Sequence, residues 1–250
     1  MRHVAIQTQG PAGPSLVKGA RAARTTIALK MMMAASGIIF ILFVLLHMYG
    51  NLRAFWGMDA FNSYAEGLRE FGEPELPHAG MLWIIRGVLI LALVVHVASA
   101  AILASRAAKA RPVKYQVKKN LGSSLSSRTM RWGGVTLLVF IIWHLLQFTI
   151  VKVNIGAGGQ DDSITKNPYQ LLVHSFNADS HAWMTVIYLL AMLALAMHLH
   201  HGTFSSLQTL GWTNSATSRR RARAAGWVVA IVIAGGFSLV PLFTLFGVIK

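Results

Sequence analysis

Five long runs of apolar residues, separated by polar connections, organise this chain. They lie at approximately Met31–Trp56, Met81–Ser105, Met130–Val153, Ala182–Thr209 and Ala225–Ile249. Lys, Arg, Asp and Glu are missing from residues 31–52, 87–105, 132–151, 182–209 and 225–249. Crossing the hydrocarbon core takes about 20 apolar residues in a helix. In lipid each backbone N–H and C=O must find its partner within the segment, which at these lengths only a helix provides. The pattern predicts an all-α membrane protein: a five-transmembrane-helix bundle forming one domain over 31–250, behind a basic tail over 1–30. No internal repeat is evident. About thirty residues precede the first run, and the run itself exceeds the roughly 7–15 of a signal-peptide core, so it is not a cleavable signal.

Composition narrows the class. Of 250 residues, 54% are hydrophobic and 12% charged, against about 25% charged in a soluble domain. There is no cysteine, which excludes disulfides, thiolate ligation of iron–sulfur clusters, covalent haem attachment and cysteine nucleophiles. The formal charge of +15 invites a nucleic-acid reading, but its distribution points to topology instead. Five basic residues (Arg2, Lys18, Arg21, Arg24, Lys30) lie in the tail, and eight (Arg106, Lys109, Arg111, Lys114, Lys118, Lys119, Arg128, Arg131) around the second connection. Arg219, Arg220, Arg221 and Arg223 occupy the fourth. All eight acids (Asp59, Glu66, Glu70, Glu73, Glu75, Asp161, Asp162, Asp179) fall in the first and third. The positive-inside rule puts the N-terminus in the cytoplasm and the C-terminus outside, as expected of a multi-pass protein of a bacterial plasma membrane. Basic residues beside spans ordinarily set topology and touch anionic lipid. The second connection is longer than a turn needs, so that face could also dock a cytoplasmic partner.

Histidine is the candidate chemistry. Six of ten histidines lie inside spans: His47, His96, His144, His198, His200 and His201. An ionisable group at membrane depth is a functional candidate by default, whereas a single one could be a packing residue. At a rise of ~1.5 Å per residue, His47 and His144 each lie ~14 Å from the outer ends of their helices. By the same measure His96 lies ~22 Å and His198 ~24 Å from theirs. The first and third spans run outward and the second and fourth inward, so connectivity does not force this agreement. Two imidazoles at equal depth inside a bundle suit bis-histidine ligation of a non-covalent b haem. Gly50, Gly133, Gly134 and Gly202 lie near these histidines and could admit a porphyrin close to the backbone. Zinc is less well served: His198 and His200 point to opposite helix faces, and the spans contain no carboxylate. His200 and His201 suit a haem propionate, or merely the polar inner interface.

At this point the residues resemble a known family. The run His47-Met-Tyr-Gly-Asn-Leu-Arg53 with Phe55, Gly57, Asn62 and Tyr64, then Ser126-Ser-Arg-Thr-Met130, then His198-Leu-His-His-Gly202 with Ser205 and Gln208-Thr-Leu-Gly211, resemble the cytochrome b subunit of succinate:quinone oxidoreductases. The likeness covers about residues 25–245 and is to the single-chain, five-helix, di-haem type. It implies a membrane anchor for an iron–sulfur subunit and an FAD flavoprotein subunit docked on the cytoplasmic face. Electrons would pass through two b haems to or from a membrane quinone. His96 and His198 match the family's ligands to the proximal haem iron, and His47 and His144 those to the distal one. The dicarboxylate chemistry belongs to the flavoprotein, and this chain holds no catalytic residue for it. The abundance of Ala, Arg and Gly suggests a GC-rich genome, which favours menaquinone as the quinone.

Arg53, Arg86 and Arg131 stand near span ends, where each could pair with a propionate or serve as an interfacial anchor. Some menaquinone-using relatives carry a glutamate just before the fourth-helix ligand; here Leu195, Ala196 and Met197 occupy those positions. Glu66 could exchange quinone protons, but as one of five acids in its connection it reads better as a solvated side chain. The Gly-rich stretch within 154–181 has no evident role. Two other classes fit the histidines. One is a di-haem cytochrome b of a hydrogenase or formate dehydrogenase, against which the Ser126–Met130 and Gln208–Gly211 motifs weigh. The other is a haem-free transporter with a histidine proton relay.

Overall fold

A computed structural model describes residues 25–110, 124–152 and 161–250, and within α7 below it omits the side chains of residues 179–181. The tail up to residue 24, the centre of the second connection with Arg111, Lys114, Lys118 and Lys119, and the glycines at 156, 158 and 159 lie outside the described residues. Among the described residues eight α-helices follow in order: α1 (Thr26–Leu52), α2 (Met58–Glu70), α3 (Gly80–Lys109), α4 (Leu125–Leu145), α5 (Asp162–Thr165), α6 (Pro168–Phe176), α7 (Ala178–Thr209) and α8 (Ala216–Leu245). A 3-10 turn over Arg53–Trp56 extends α1, and a π-turn over Leu146–Ile150 extends α4. Five of these helices are long and apolar enough to cross a membrane.

The spans agree with the hydropathy pattern in number and place, and differ at their ends. The fifth helix begins at Ala216 rather than near residue 225, and the third at Leu125 rather than 130. The physical cause is local capping. Ser215 accepts from the Ser218 amide while the Ser218 side chain accepts from the Ser215 amide, a capping box that starts α8 inside the arginine-rich stretch. Ser124 caps α4 by accepting from Ser127. Hydropathy marks where lipid contact starts, whereas caps mark where the helix does.

The long helices pack unevenly. α7 and α8 make the most extensive contact, and α1 lies against α3, α7 and α8, while α4 lies against α7. On α8 the buried residues Ala222, Gly226, Ala230 and Ala234 recur every four positions, the small-residue stripe that lets membrane helices approach closely. Large apolar side chains such as Leu46, Leu91, Val139, Leu190 and Ile231 are exposed, as lipid-facing positions should be. Trp56, Trp83 and Trp183 mark one end of the bundle and Trp132, Trp212 and Trp227 the other, all of them exposed. Amphipathic indoles favour the headgroup level.

One end of the bundle carries the acids, and the other carries the arginine-rich stretch Arg219–Arg223 with Arg106, Arg128 and Arg131. At the acidic end the chain builds a lid. Gly57, at φ 89°, turns the chain from the 3-10 segment into α2, a left-handed conformation that glycine adopts without a Cβ clash. In the third connection Asn167 caps α6, and Pro168 occupies its first turn. α6 then buries Tyr169, Leu171, Leu172 and Phe176. Tyr169, Leu172 and Phe176 join Met184, Tyr188 and Val240 in the largest apolar cluster among the described residues.

Candidate functional site: two histidine pairs within the bundle

Local helix geometry sets the depth of each histidine, and packing turns depth into proximity. His47 on α1 and His144 on α4 bring their ring centroids to 5.8 Å, with planes at 80°. His96 on α3 and His198 on α7 come to 6.2 Å, with planes at 49°. The first pair lies toward the acidic end and the second toward the basic end. All four side chains are half-buried.

The helices that carry each pair are the informative detail. α1–α4 and α3–α7 are not among the helix pairs whose backbones pack on one another. Each pair therefore reaches across a gap between helices that stand apart. Aromatic residues line both gaps. Phe43 stacks on His47 at 5.4 Å, Phe237 lies 5.6 Å from it, and Phe140 and Phe148 flank His144 at 5.9 and 5.3 Å. Phe40 meets His96 edge-on at 5.9 Å. Such walls keep water out, and no Asp or Glu occurs along the spans at these depths.

The spacing suits one metal between two rings. A metal–imidazole nitrogen bond is about 2 Å, and each ring centre lies about 1 Å behind its nitrogen, giving a separation of about 6 Å for two rings that share one metal. Two donors per pair fall short of the four that a structural zinc site needs. Among the described residues no group of three or more His, Asp or Glu side chains could hold an ion. A haem would bring the remaining donors itself and needs room between helices, so the residues present fit one at each pair, with His47 and His144 or His96 and His198 as the residues that would hold it.

Other singled-out residues fall in varied places. A Cβ on Gly134 would stand 3.7 Å from His198 Cε1, whereas one on Gly133 would meet only the Ala194 carbonyl, at 3.9 Å. Gly50 makes room for the Tyr64 ring rather than for a cofactor, and Gly202 faces open space. Gly37, not apparent from sequence, lies beside the basic-end pair, its Cβ position 3.6 Å from His96 Cε1. Arg53 lies 5.5 Å over Trp56, and its Nε is buried without a partner among the described residues. Arg86 lies 4.7 Å over Trp83, and Arg131 is exposed. His200 donates or accepts at Nδ1 with Ser126 Oγ at 2.9 Å and stacks on Trp227 at 4.2 Å. Leu195 and Ala196 pack in the apolar seam with Phe237, so no proton-carrying group stands there.

Glu66 is half-exposed and pairs with Arg69 at 3.2 Å and His78 at 3.6 Å. It lines an open polar cleft of about 670 Å³ with Asn62, Asp162 and Lys166. Sequence reasoning missed three hydrogen-bonding side chains at the histidines: Ser36, Gln147 and Tyr188. Spacing could have revealed two of them, since Ser36 precedes His47 by about three turns on one face and Gln147 follows His144 by about one. Tyr188 shares no face with His198, and only packing brings it to His144.

A helical bundle of five membrane-length apolar helices with paired intramembrane histidines defines the class: a multi-pass membrane protein. The sequence model of the succinate dehydrogenase/fumarate reductase transmembrane subunit family matches residues 106–237, more than half of the chain, and the protein belongs to that family. Neither a curated protein nor a solved structure matches it. The chain is thus a membrane subunit that assembles with the other subunits of such a complex.

Proposed function

We propose that the chain is the cytochrome b anchor of a succinate:quinone oxidoreductase. It would hold one b haem between His47 and His144 and a second between His96 and His198. The observation that carries this reading is the pair of imidazole couples at 5.8 and 6.2 Å, each spanning helices that do not pack on one another. Bound there, haem iron supplies one-electron chemistry, and the protein supplies ligation, orientation and a dry surround. Arg53, with its buried unpartnered Nε, suits a propionate, as Arg86, Arg131 and His200 do less directly.

In this reading the basic end faces the cytoplasm and docks the iron–sulfur subunit, which in turn carries the FAD flavoprotein where the dicarboxylate reacts. Two histidine pairs at different depths would hold cofactors between that face and a membrane quinone, with menaquinone expected from the composition. The bacterial plasma membrane is the expected location.

The test is a reduced-minus-oxidised absorbance spectrum of the detergent-purified complex, with haem counted per chain. Two b haems are expected. His47→Ala or His144→Ala should remove one, His96→Ala or His198→Ala the other. A folded complex with no b-type bands would sink the reading and leave the histidines to a transport role.

A further inference from the structure

Each histidine pair contains one ring whose Nδ1 meets a hydroxyl from a neighbouring helix. His144 Nδ1 lies 3.2 Å from Tyr188 Oη. Tyr188 Oη donates to Gln147 Oε1 at 2.7 Å. His96 Nδ1 lies 3.0 Å from Ser36 Oγ, and Ser36 Oγ donates to the Met32 carbonyl at 2.8 Å. Ser36, Gln147 and Tyr188 are all buried, at 4%, 1% and 7% exposure.

Hydrogen accounting then decides the direction. A hydroxyl has one hydrogen to give. Tyr188 gives it to Gln147, and Ser36 gives it within its own helix, to the Met32 carbonyl at 2.8 Å or the Met33 carbonyl at 3.2 Å, so in this arrangement both oxygens accept from the histidines. In this arrangement His144 and His96 carry their proton on Nδ1. That tautomer leaves the Nε2 lone pair free to bind a metal.

The placement is the same in both layers. Tyr188 lies on α7, which packs against α4, and Ser36 lies on α1, which packs against α3. Helices that touch thus provide the hydroxyl, while helices that stand apart provide the opposing ring. The ring opposite His96 is held differently, for His198 Nδ1 is buried with no partner among the described residues. The π-turn over Leu146–Ile150 begins two residues after His144 and contains the buried Gln147. Such turns favour functional sites because they re-aim side chains.

We propose that Tyr188, oriented by Gln147, and Ser36 are positioning residues that fix the tautomer and raise the ligand basicity of His144 and His96. This rests on the di-haem reading above. An Nδ1–H donated to an oxygen strengthens the opposite nitrogen as a ligand. It thereby favours the oxidised metal and lowers the reduction potential of that layer alone.

The experiment is an optical redox titration of the intact purified complex, with haem counted per chain. Second-shell partners change metal-site properties by about 10–100-fold, and a tenfold shift in a one-electron equilibrium is about 59 mV. Tyr188→Phe should raise the midpoint of the His47–His144 haem by about that tenfold step and leave the other haem unmoved. Ser36→Ala should do the reverse, and Ser36→Thr, which keeps the hydroxyl, should restore the wild-type value. If Tyr188→Phe does not assemble, Gln147→Leu leaves the tyrosine ring in place and should move the same haem upward by less.

Two haems with unchanged midpoints in these variants would overturn the assignment, as would both haems moving together, which general loosening produces. Either result leaves the di-haem reading standing. A wild-type complex without b haem would instead remove that reading itself.

Discussion

Gly134 and Gly37 stand on either side of the basic-end histidine pair, each with a Cβ position 3.6–3.7 Å from an imidazole Cε1. That is ordinary van der Waals distance, so alanine fits and a longer side chain does not. Gly134→Ala should keep two haems per chain, whereas Gly134→Leu should displace the His198 ring and leave one, counted by pyridine haemochrome assay. Charge at the far end makes a second prediction. Asp161 caps α5, and the hydrogen bonds it accepts from Ser163 hold its carboxyl below the ordinary 3.8. A depressed acid stabilises the fold above its unfolded pKa and loses that contribution as pH falls through the folded value. The Ser163 amide should therefore lose exchange protection below about pH 4. In Asp161→Asn, whose side chain still accepts but does not titrate, the pH dependence should vanish.

Between elements, the seam of α7 and α8 depends on small residues. A Cβ on Gly226 would stand 2.6 Å from the His200 carbonyl oxygen, a backbone atom that cannot swing aside. Gly235, on the same helix, has nothing within 4 Å. Gly226→Ala should cost about 1–3 kcal/mol, the usual penalty of overpacking, while Gly235→Ala should be neutral; thermal unfolding in detergent separates them. Equal effects would mean that helix propensity rather than close approach governs the seam. The lid is held differently. Phe176 is buried and meets the Tyr188 ring edge-on at 4.8 Å. Phe176→Ala should cost about 3–5 kcal/mol, with hydrogen exchange rising first in α6.

For the whole molecule, the excess of basic residues at the end that carries no acid predicts orientation. The chain has no cysteine, so a single introduced thiol reports its own side of the membrane. Ser163 at the acidic end and Asn214 at the basic end are both exposed. In intact cells an impermeant maleimide should label Ser163→Cys and spare Asn214→Cys until the membrane is opened. The reverse pattern would invert the proposed docking face.

Much of this protein is determined one helix at a time, and that part is legible in the sequence. Twenty apolar residues in lipid have only the helix available, so the five spans follow from hydropathy. The depths of His47, His96, His144 and His198 follow from a fixed rise per residue. Span ends shifted because Ser124 and Ser215 cap their helices outside the apolar window, where hydropathy carries no signal. What lies between helices was not legible, because lateral packing depends on side-chain shape rather than on period. That α1 stands away from α4, and α3 from α7, is a tertiary fact. So are the Gly226 crossing and the folding of α6 over the acidic end. Tyr188 makes the distinction plain: its helix position follows from sequence, but its hydrogen bond to His144 exists only because α4 and α7 pack together.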